Sequence, residues 1–335
     1  LAWHARAGNL PAMQITILGG GGFLGRKFAE RLAAQGHLGG TPVTGLILFD
    51  LAAPKPLEAP FPVTCVGGDV ASLADVSAAI PVGTNLVVHL AAVVSAAAEA
   101  DFDLGMRVNL HGTLAVIEAC RKLAAPPRVL FTSSVASFGG GQSALLPDDA
   151  RQVPTNSYGA QKAAAELLLQ DASRKGFLDA VSIRLPTVIV RPGRPNKAAS
   201  SFFSAILREP LLGLETPLPV EDSFRVWVCS PRRAVDWLFH AAMMDTAPLG
   251  VDRGINPPGL AVSVGEMLAA LSPAERALVK REPDPAIAAI VGGWPAEFAA
   301  TRARALGFAP QEGVPEILAA FRADDLAATR AERGL

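Results

Sequence analysis

Met13-Gln-Ile-Thr-Ile-Leu-Gly19-Gly-Gly-Gly22-Phe-Leu-Gly25 runs from a short apolar strand pattern, through a glycine cluster, into helical periodicity that continues to Gln35. Glycine allows a tight turn and close backbone approach, and it lets a helix pack hard against a strand. A helix that opens on such a turn presents unpaired N–H groups and the positive end of its dipole. Gly19, Gly22 and Gly25 are therefore read as a pyrophosphate cradle. Their spacing is G-x-x-G-x-x-G rather than the more familiar G-x-G-x-x-G. The candidate contacts extend to Phe23 and Leu24 at the start of the helix.

Outward from this unit, strand and helix patterns alternate, as in a parallel sheet with crossover helices. Strands are expected at Gly45–Asp50, Val63–Val66, Asn85–Leu90, Arg128–Thr132 and Asp179–Leu185. Helices are expected near Leu73–Ile80, Leu104–Leu123 and Tyr158–Lys175. The fold class predicted is α/β, a Rossmann-type doubly wound parallel sheet spanning residues 13–185. Past Pro186, prolines and glycines crowd the chain, and residues 186–335 are expected to form a smaller mixed substrate lobe, with possible return segments to the first domain. In an open α/β sheet, ligands bind at the carboxyl ends of the strands, where a second lobe can close over them. Asp50 ends the second strand, placed to accept ribose hydroxyls and to repel a 2′-phosphate, which favours NAD over NADP. Asp69 follows the third strand, with Val70 beside it, as a candidate on the adenine side. Leu90 and Pro186, at two further strand ends, complete this set.

Composition narrows the function. Only 18% of the residues are charged and the net charge is −1, without a long basic run, so nucleic acid is not expected as a partner. No apolar run reaches the length of a membrane helix. Cys65, Cys120 and Cys229 are scattered without metal-ligand spacing, which suggests free thiols, no metal site and a cytoplasmic setting. Residues 1–12, LAWHARAGNLPA, read as a leader or tag-like extension.

Tyr158 is the sole tyrosine, and Lys162 follows it by four residues, so the two share one helix face. A phenol has a reference pKa near 10, and a neighbouring cation favours its ionised form. This makes Tyr158 a candidate general base toward an alcohol, with Lys162 as the cation. Ser134 ends the run Val129-Leu-Phe-Thr-Ser-Ser134 and is placed to orient the substrate oxygen. Strand alternation turns Ser133 the other way.

In this order, the glycine loop, His89-Leu-Ala-Ala92, Asn109-Leu-His-Gly-Thr113, Phe131-Thr-Ser-Ser134, Tyr158-Gly-Ala-Gln-Lys162, Arg184-Leu-Pro and Gly254-Ile-Asn256 resemble the extended short-chain dehydrogenase/reductases, the NAD-dependent epimerase/dehydratase group. The resemblance runs from about Met13 to the tail Ala300-Thr-Arg-Ala-Arg-Ala-Leu-Gly307. It implies a Ser134, Tyr158 and Lys162 catalytic group, Asn109 behind it near the lysine, Ala91 and Ala92 against the cofactor, and a homodimer through two helices. The family's nucleotide-sugar enzymes commonly carry Asn where this chain has Thr187, which points to a smaller substrate. Arg191-Pro-Gly-Arg-Pro-Asn-Lys-Ala-Ala-Ser-Ser-Phe-Phe203, Ser230-Pro-Arg232 and Arg281-Glu-Pro-Asp-Pro285 resemble the subgroup that oxidises the sugar acid D-erythronate at C2 with NAD.

A sugar acid needs a cation for its carboxylate and hydroxyl or amide partners for its hydroxyls. Candidate cations are Arg184, Arg194, Lys197, Arg225 and Arg232, and candidate hydroxyl partners are Asn196, Ser200 and Ser95, with Lys197 and Asn196 preferred. Trp227, Trp237 and Trp294 are expected in the core or at an interface. The competing functions are a nucleotide-sugar epimerase or dehydratase that retains its NAD, and an NAD(P)-sensing protein without chemistry. The intact Tyr158 and Lys162 argue against the sensor.

Overall fold

The computed structural model describes residues 13–139, 145–195 and 200–335. The leader-like residues 1–12 and the preferred substrate candidates Asn196 and Lys197 lie outside the described residues.

The main sheet is parallel, built from β1 (Met13–Leu18), β2 (Thr41–Asp50), β3 (Val63–Gly67), β4 (Thr84–His89), β5 (Arg128–Ser134), β6 (Asp179–Leu185) and β7 (Gly254–Ile255). Their order across the sheet is β3-β2-β1-β4-β5-β6-β7, with the two-residue strand His37–Leu38 antiparallel on β2. The chain reverses its direction of travel between β1 and β4, the switch point where an open sheet leaves a crevice.

A parallel sheet covered on both faces needs strands apolar on both sides, and these are. Ile15, Ile17, Leu48, Val88 and Ile183 face Phe28 and Leu32 of the helix Phe23–Gln35 and Leu238 of the helix Pro231–Met243. On the other face, Phe49, Val87, Val129 and Phe131 meet Val76, Val116 and Leu169. Thr16 is one of the few polar residues buried in these strands, and its hydroxyl donates to the carbonyl of Ala79 at 2.7 Å. Two segments beyond residue 186 thus join the first sheet. Helix Pro231–Met243 covers one face, and β7 pairs with β6 through Gly254–Ser182 and Ile255–Ile183.

The rest of the C-terminal half packs around Ile189, Phe203, Ile206, Val228, Met267, Ile317 and Phe321. It carries a three-stranded sheet of Thr187–Val188, Arg225–Cys229 and Leu260–Ser263. The chain from β4 to β5 departs from the expected uninterrupted helix. It forms Ser95–Ala100 and Phe102–Gly105, then a π-helical stretch at Met106–His111, and only then Gly112–Cys120. Single π turns inside helices commonly mark functional positions. Asn109 sits in this one.

Candidate active site

The glycine loop explains itself sterically. Gly19 has φ +91°, and a Cβ on it would lie 2.7 Å from the amide nitrogen of Ala91. A Cβ on Gly25 would lie 2.2 Å from the carbonyl oxygen of Gly19. Gly19 and Gly20 donate to the Phe49 carbonyl at 2.8 and 2.9 Å, which fastens the loop to β2. Leu90 and Ala91 donate to the Leu18 carbonyl across the switch point. Gly22 caps the helix Phe23–Gln35 with no side-chain hydrogen bond and no acidic residue in the first turn, so its end is open to an anion. Asp50 accepts from Gly21 N at 3.0 Å and from Leu51 N at 2.8 Å, which sets its carboxylate at the rim of this cradle. These residues fit a dinucleotide. The Asp69 carboxylate, in contrast, already accepts from Ala71 N at 2.9 Å and pairs with Arg107. Val70 beside it is buried under Gly112.

A second cleft of about 430 Å³ opens at the carboxyl end of β5 and β6, lined by Ser95, Ser134, Tyr158, Pro186, Thr187, Arg191, Ser200 and Trp294 among others. Ser134 and Tyr158 meet there because β5 ends where the helix Ser157–Arg174 begins, and Asn156 caps that helix by accepting from Gly159 N at 2.8 Å. Burial pushes the Tyr158 phenol up to about 12, against the opposing effects of the Arg191 charge and a hydrogen bond with Ser134. Lys162 is buried, its Nζ donating to the Thr132 carbonyl at 2.8 Å and lying 5.7 Å from the Tyr158 ring centroid. Burial brings Lys162 down to about 7, partly offset by Glu166. Two cations thus stand near the phenol: Arg191, which lines the same cleft, and Lys162, whose ammonium also holds the end of β5.

Asn109 is buried and ties two elements together. Its Oδ1 accepts from Val93 N at 2.8 Å, while its Nδ2 donates to the Val93 carbonyl at 3.0 Å and to Gln161 Oε1 at 2.7 Å. It thus holds the loop after β4 against the catalytic helix, next to Lys162. Ser133 points away from the cleft, as alternation requires, and donates to Glu166. His89 is also neutral structure. Its Nε2 lies 3.1 Å from Thr113 Oγ1, and burial with the nearby Lys162 charge brings its pKa down to about 3.

Three of the proposed carboxylate partners are placed elsewhere. Arg232 is exposed and forks onto Asp324 at 2.6 and 3.0 Å, because it projects from the first turn of the helix Pro231–Met243 toward the C-terminal helices. Arg184 is buried against Glu166 at 2.8 Å, behind the cleft. Arg225 lies 3.9 Å from Glu266 near the surface. Arg191 was missed, although it opens the quoted Arg-Pro-Gly-Arg segment, because nothing in the spacing distinguishes it from Arg194 or Lys197. Trp294, expected in the core or at an interface, packs against the second core and also lines the cleft, and its indole N–H has no hydrogen-bond acceptor among the described residues.

Residues 15–233 match the NAD dependent epimerase/dehydratase family. The chain belongs to this family. It is 46% identical to a D-erythronate dehydrogenase of Cupriavidus necator, over 93% of this chain and 98% of that one. A D-erythronate dehydrogenase of Haemophilus influenzae is 39% identical over 92% of this chain and 98% of its own. Among solved structures, a nucleoside-diphosphate-sugar epimerase from Agrobacterium tumefaciens superposes with a TM-score of 0.90, at 43% identity, covering 97% of this chain and 99% of that one. As a member of the family, the protein is an NAD-dependent enzyme of the extended short-chain dehydrogenase/reductase type. No helix among the described residues is long and apolar enough to cross a membrane.

Proposed function

We propose that the protein oxidises D-erythronate at C2 to 2-dehydro-D-erythronate with NAD. The observation that carries this reading is the meeting of Ser134 and Tyr158 with small hydroxyl side chains, Ser95, Thr187 and Ser200, in one cleft beside the dinucleotide cradle. The two D-erythronate dehydrogenases, similar along nearly their whole length, supply the substrate class.

Asp50 holds the adenosine ribose, the N-terminus of Phe23–Gln35 faces the pyrophosphate, and Ala91, Ala92 and Pro186 border the dinucleotide. NAD, when bound, would supply the oxidant for C2, and its positive ring would favour a phenolate nearby. Ser134 fixes the C2 oxygen by hydrogen bonding. Tyr158 takes the hydroxyl proton as the C2–H bond breaks and C=O forms, which leaves 2-oxo acid, NADH and one proton. Lys162, buried and anchored on Thr132, keeps the helix face in register with the end of β5. Asn109 holds the neighbouring loop.

Purified protein with NAD and D-erythronate is expected to generate NADH absorbance, with far less from L-threonate or with NADP. Silence across four-carbon sugar acids overturns the substrate. The Agrobacterium relative is called a nucleoside-diphosphate-sugar epimerase, and that chemistry interconverts sugars with no net NADH, so the same assay separates the two.

We also infer a cytoplasmic homodimer. Cys65, Cys120 and Cys229 are free thiols, as a reducing compartment keeps them. Phe102, Leu114, Leu167 and Leu168 are exposed apolar residues on or near two packed helices, Gly112–Cys120 and Ser157–Arg174. Light scattering is expected to give the mass of two chains, and the mass of one overturns the dimer.

A further inference from the structure

Arg191 is held more firmly than a surface arginine needs to be. Its amide donates to Ser204 Oγ at 3.1 Å, its Nε donates to the Val188 carbonyl at 3.1 Å, and its Nη2 lies 3.5 Å from Ser200 Oγ. Its carbonyl accepts from Arg208 Nη1 at 2.8 Å. Arg208 is itself buried and paired with Glu209 at 2.7 Å, and Glu209 takes Arg333 from the C-terminal helix at 3.1 Å. Backbone and guanidinium are thus both fixed, with the guanidinium in the cleft wall.

No carboxylate balances this cation among the described residues. The groups that favour its charge are Tyr158 and Cys229, neither of which is ordinarily ionised, while burial and Arg208 oppose it. A half-buried cation without a fixed counter-ion is costly and is retained where a ligand supplies the anion. A guanidinium suits a carboxylate because its planar fork matches the two oxygens.

We propose that Arg191 is the clamp for the substrate carboxylate, and that its placement beside Tyr158 selects the hydroxyl next to that carboxylate for oxidation. This rests on the sugar-acid reading above. In a 2-hydroxy acid the reacting carbon is bonded to the carboxylate carbon, so clamp and base must be neighbours. A cation farther along the cleft would bring C3 or C4 to the phenol instead. Arg191 and Tyr158 line the same cleft, near enough for each charge to act on the other. The binding carboxylate then neutralises the guanidinium, and the phenol loses part of the help it receives from Arg191. Ser134 and Lys162 are the other groups facing the phenol.

The test compares the wild type with Arg191→Gln and Arg191→Lys. For D-erythronate, Arg191→Gln is expected to lower kcat/KM by about 100-fold or more, chiefly through KM, as loss of a charged hydrogen-bonding partner does. Arg191→Lys recovers part of this. Oxidation of erythritol, which has the same carbon chain without a carboxylate, reports only the loss of the Arg191 charge beside the phenol and falls by much less than erythronate oxidation, while the Kd for NAD stays within about threefold. Equal losses on erythronate and erythritol, or an unchanged erythronate KM, overturn the clamp. A second readout is independent of turnover. Since Tyr158 is the sole tyrosine, ultraviolet difference absorbance isolates its ionisation. Glycolate, the smallest 2-hydroxy acid, should raise the wild-type midpoint, whereas Arg191→Gln starts higher and does not respond. The glycolate shift without erythronate turnover sinks the substrate and keeps the clamp; no shift in the wild type sinks the clamp.

Discussion

Tyr158→Phe reduces kcat/KM for D-erythronate by a factor of about 100 to 10,000, the range that one positioned general base contributes. The substitution removes a single oxygen from the cleft wall, so the helix Ser157–Arg174 and its Asn156 cap persist. NAD affinity is expected to change by less than about threefold, because the Gly19–Gly25 cradle and Asp50 are untouched. Stopped-flow hydride transfer with saturating NAD measures the chemical step directly. Turnover within about fivefold of wild type removes Tyr158 from the mechanism while leaving the fold intact. The rate should also fall as pH is lowered, since burial holds the free phenol near 12 and catalysis draws on the ionised fraction.

Gly25→Ala is the second large effect, and it strikes stability and cofactor together. The added methyl meets the Gly19 carbonyl oxygen at 2.2 Å and Gly20 Cα at 3.0 Å, both backbone atoms that cannot swing aside. Overpacking of this kind costs about 1–3 kcal/mol. The only relief is to move the loop off the strand end, so NAD binding is expected to weaken by at least about tenfold. Gly22→Ala is the control. Its methyl would come no closer than 3.3 Å to the Gly19 carbonyl oxygen, and Gly22 is exposed. It should keep the wild-type unfolding midpoint and lose only NAD affinity, through intrusion into the anion cradle. Denaturant unfolding paired with NAD titration checks both variants. Equal stability losses would show that the two glycines do not play different parts.

The sheet was legible because its strands are largely β-branched and apolar on both faces, and the first three are closed by glycine or Asp at their carboxyl ends. Met13–Leu18 and Asp179–Leu185 match expectation residue for residue. Ser134 and Tyr158 were legible for a similar reason, since one ends a strand and the other begins a helix, and an open sheet gathers such positions at one edge. The second lobe was not. Its strands are two to five residues long, too short for a period to emerge, and pair out of chain order. Arg232 and Arg191 differ in no local feature of the sequence; whether each finds Asp324 or the cleft is decided by contacts across the fold. The π turn at Asn109 was equally invisible, because one extra residue in a helical turn leaves the apolar pattern almost unchanged.

The β7–β6 pairing has a bearing on how this protein can be cut. β7 comes from beyond residue 250, yet it closes the edge of the nucleotide-binding sheet, and Asn256 just after it lies 3.4 Å from Arg184. A fragment ending near residue 186 would leave β6, with Ala180, Val181, Ile183 and Leu185, as an unpaired edge, the kind of edge that recruits strands from other chains. It would also strip the helix Pro231–Met243 from one face of the sheet. Synthesis on the ribosome meets the same difficulty, since the dinucleotide half cannot finish its own sheet until about three quarters of these 335 residues have emerged. Halves that share one sheet and its covering in this way are expected to unfold together and to fail as modules exchanged between relatives.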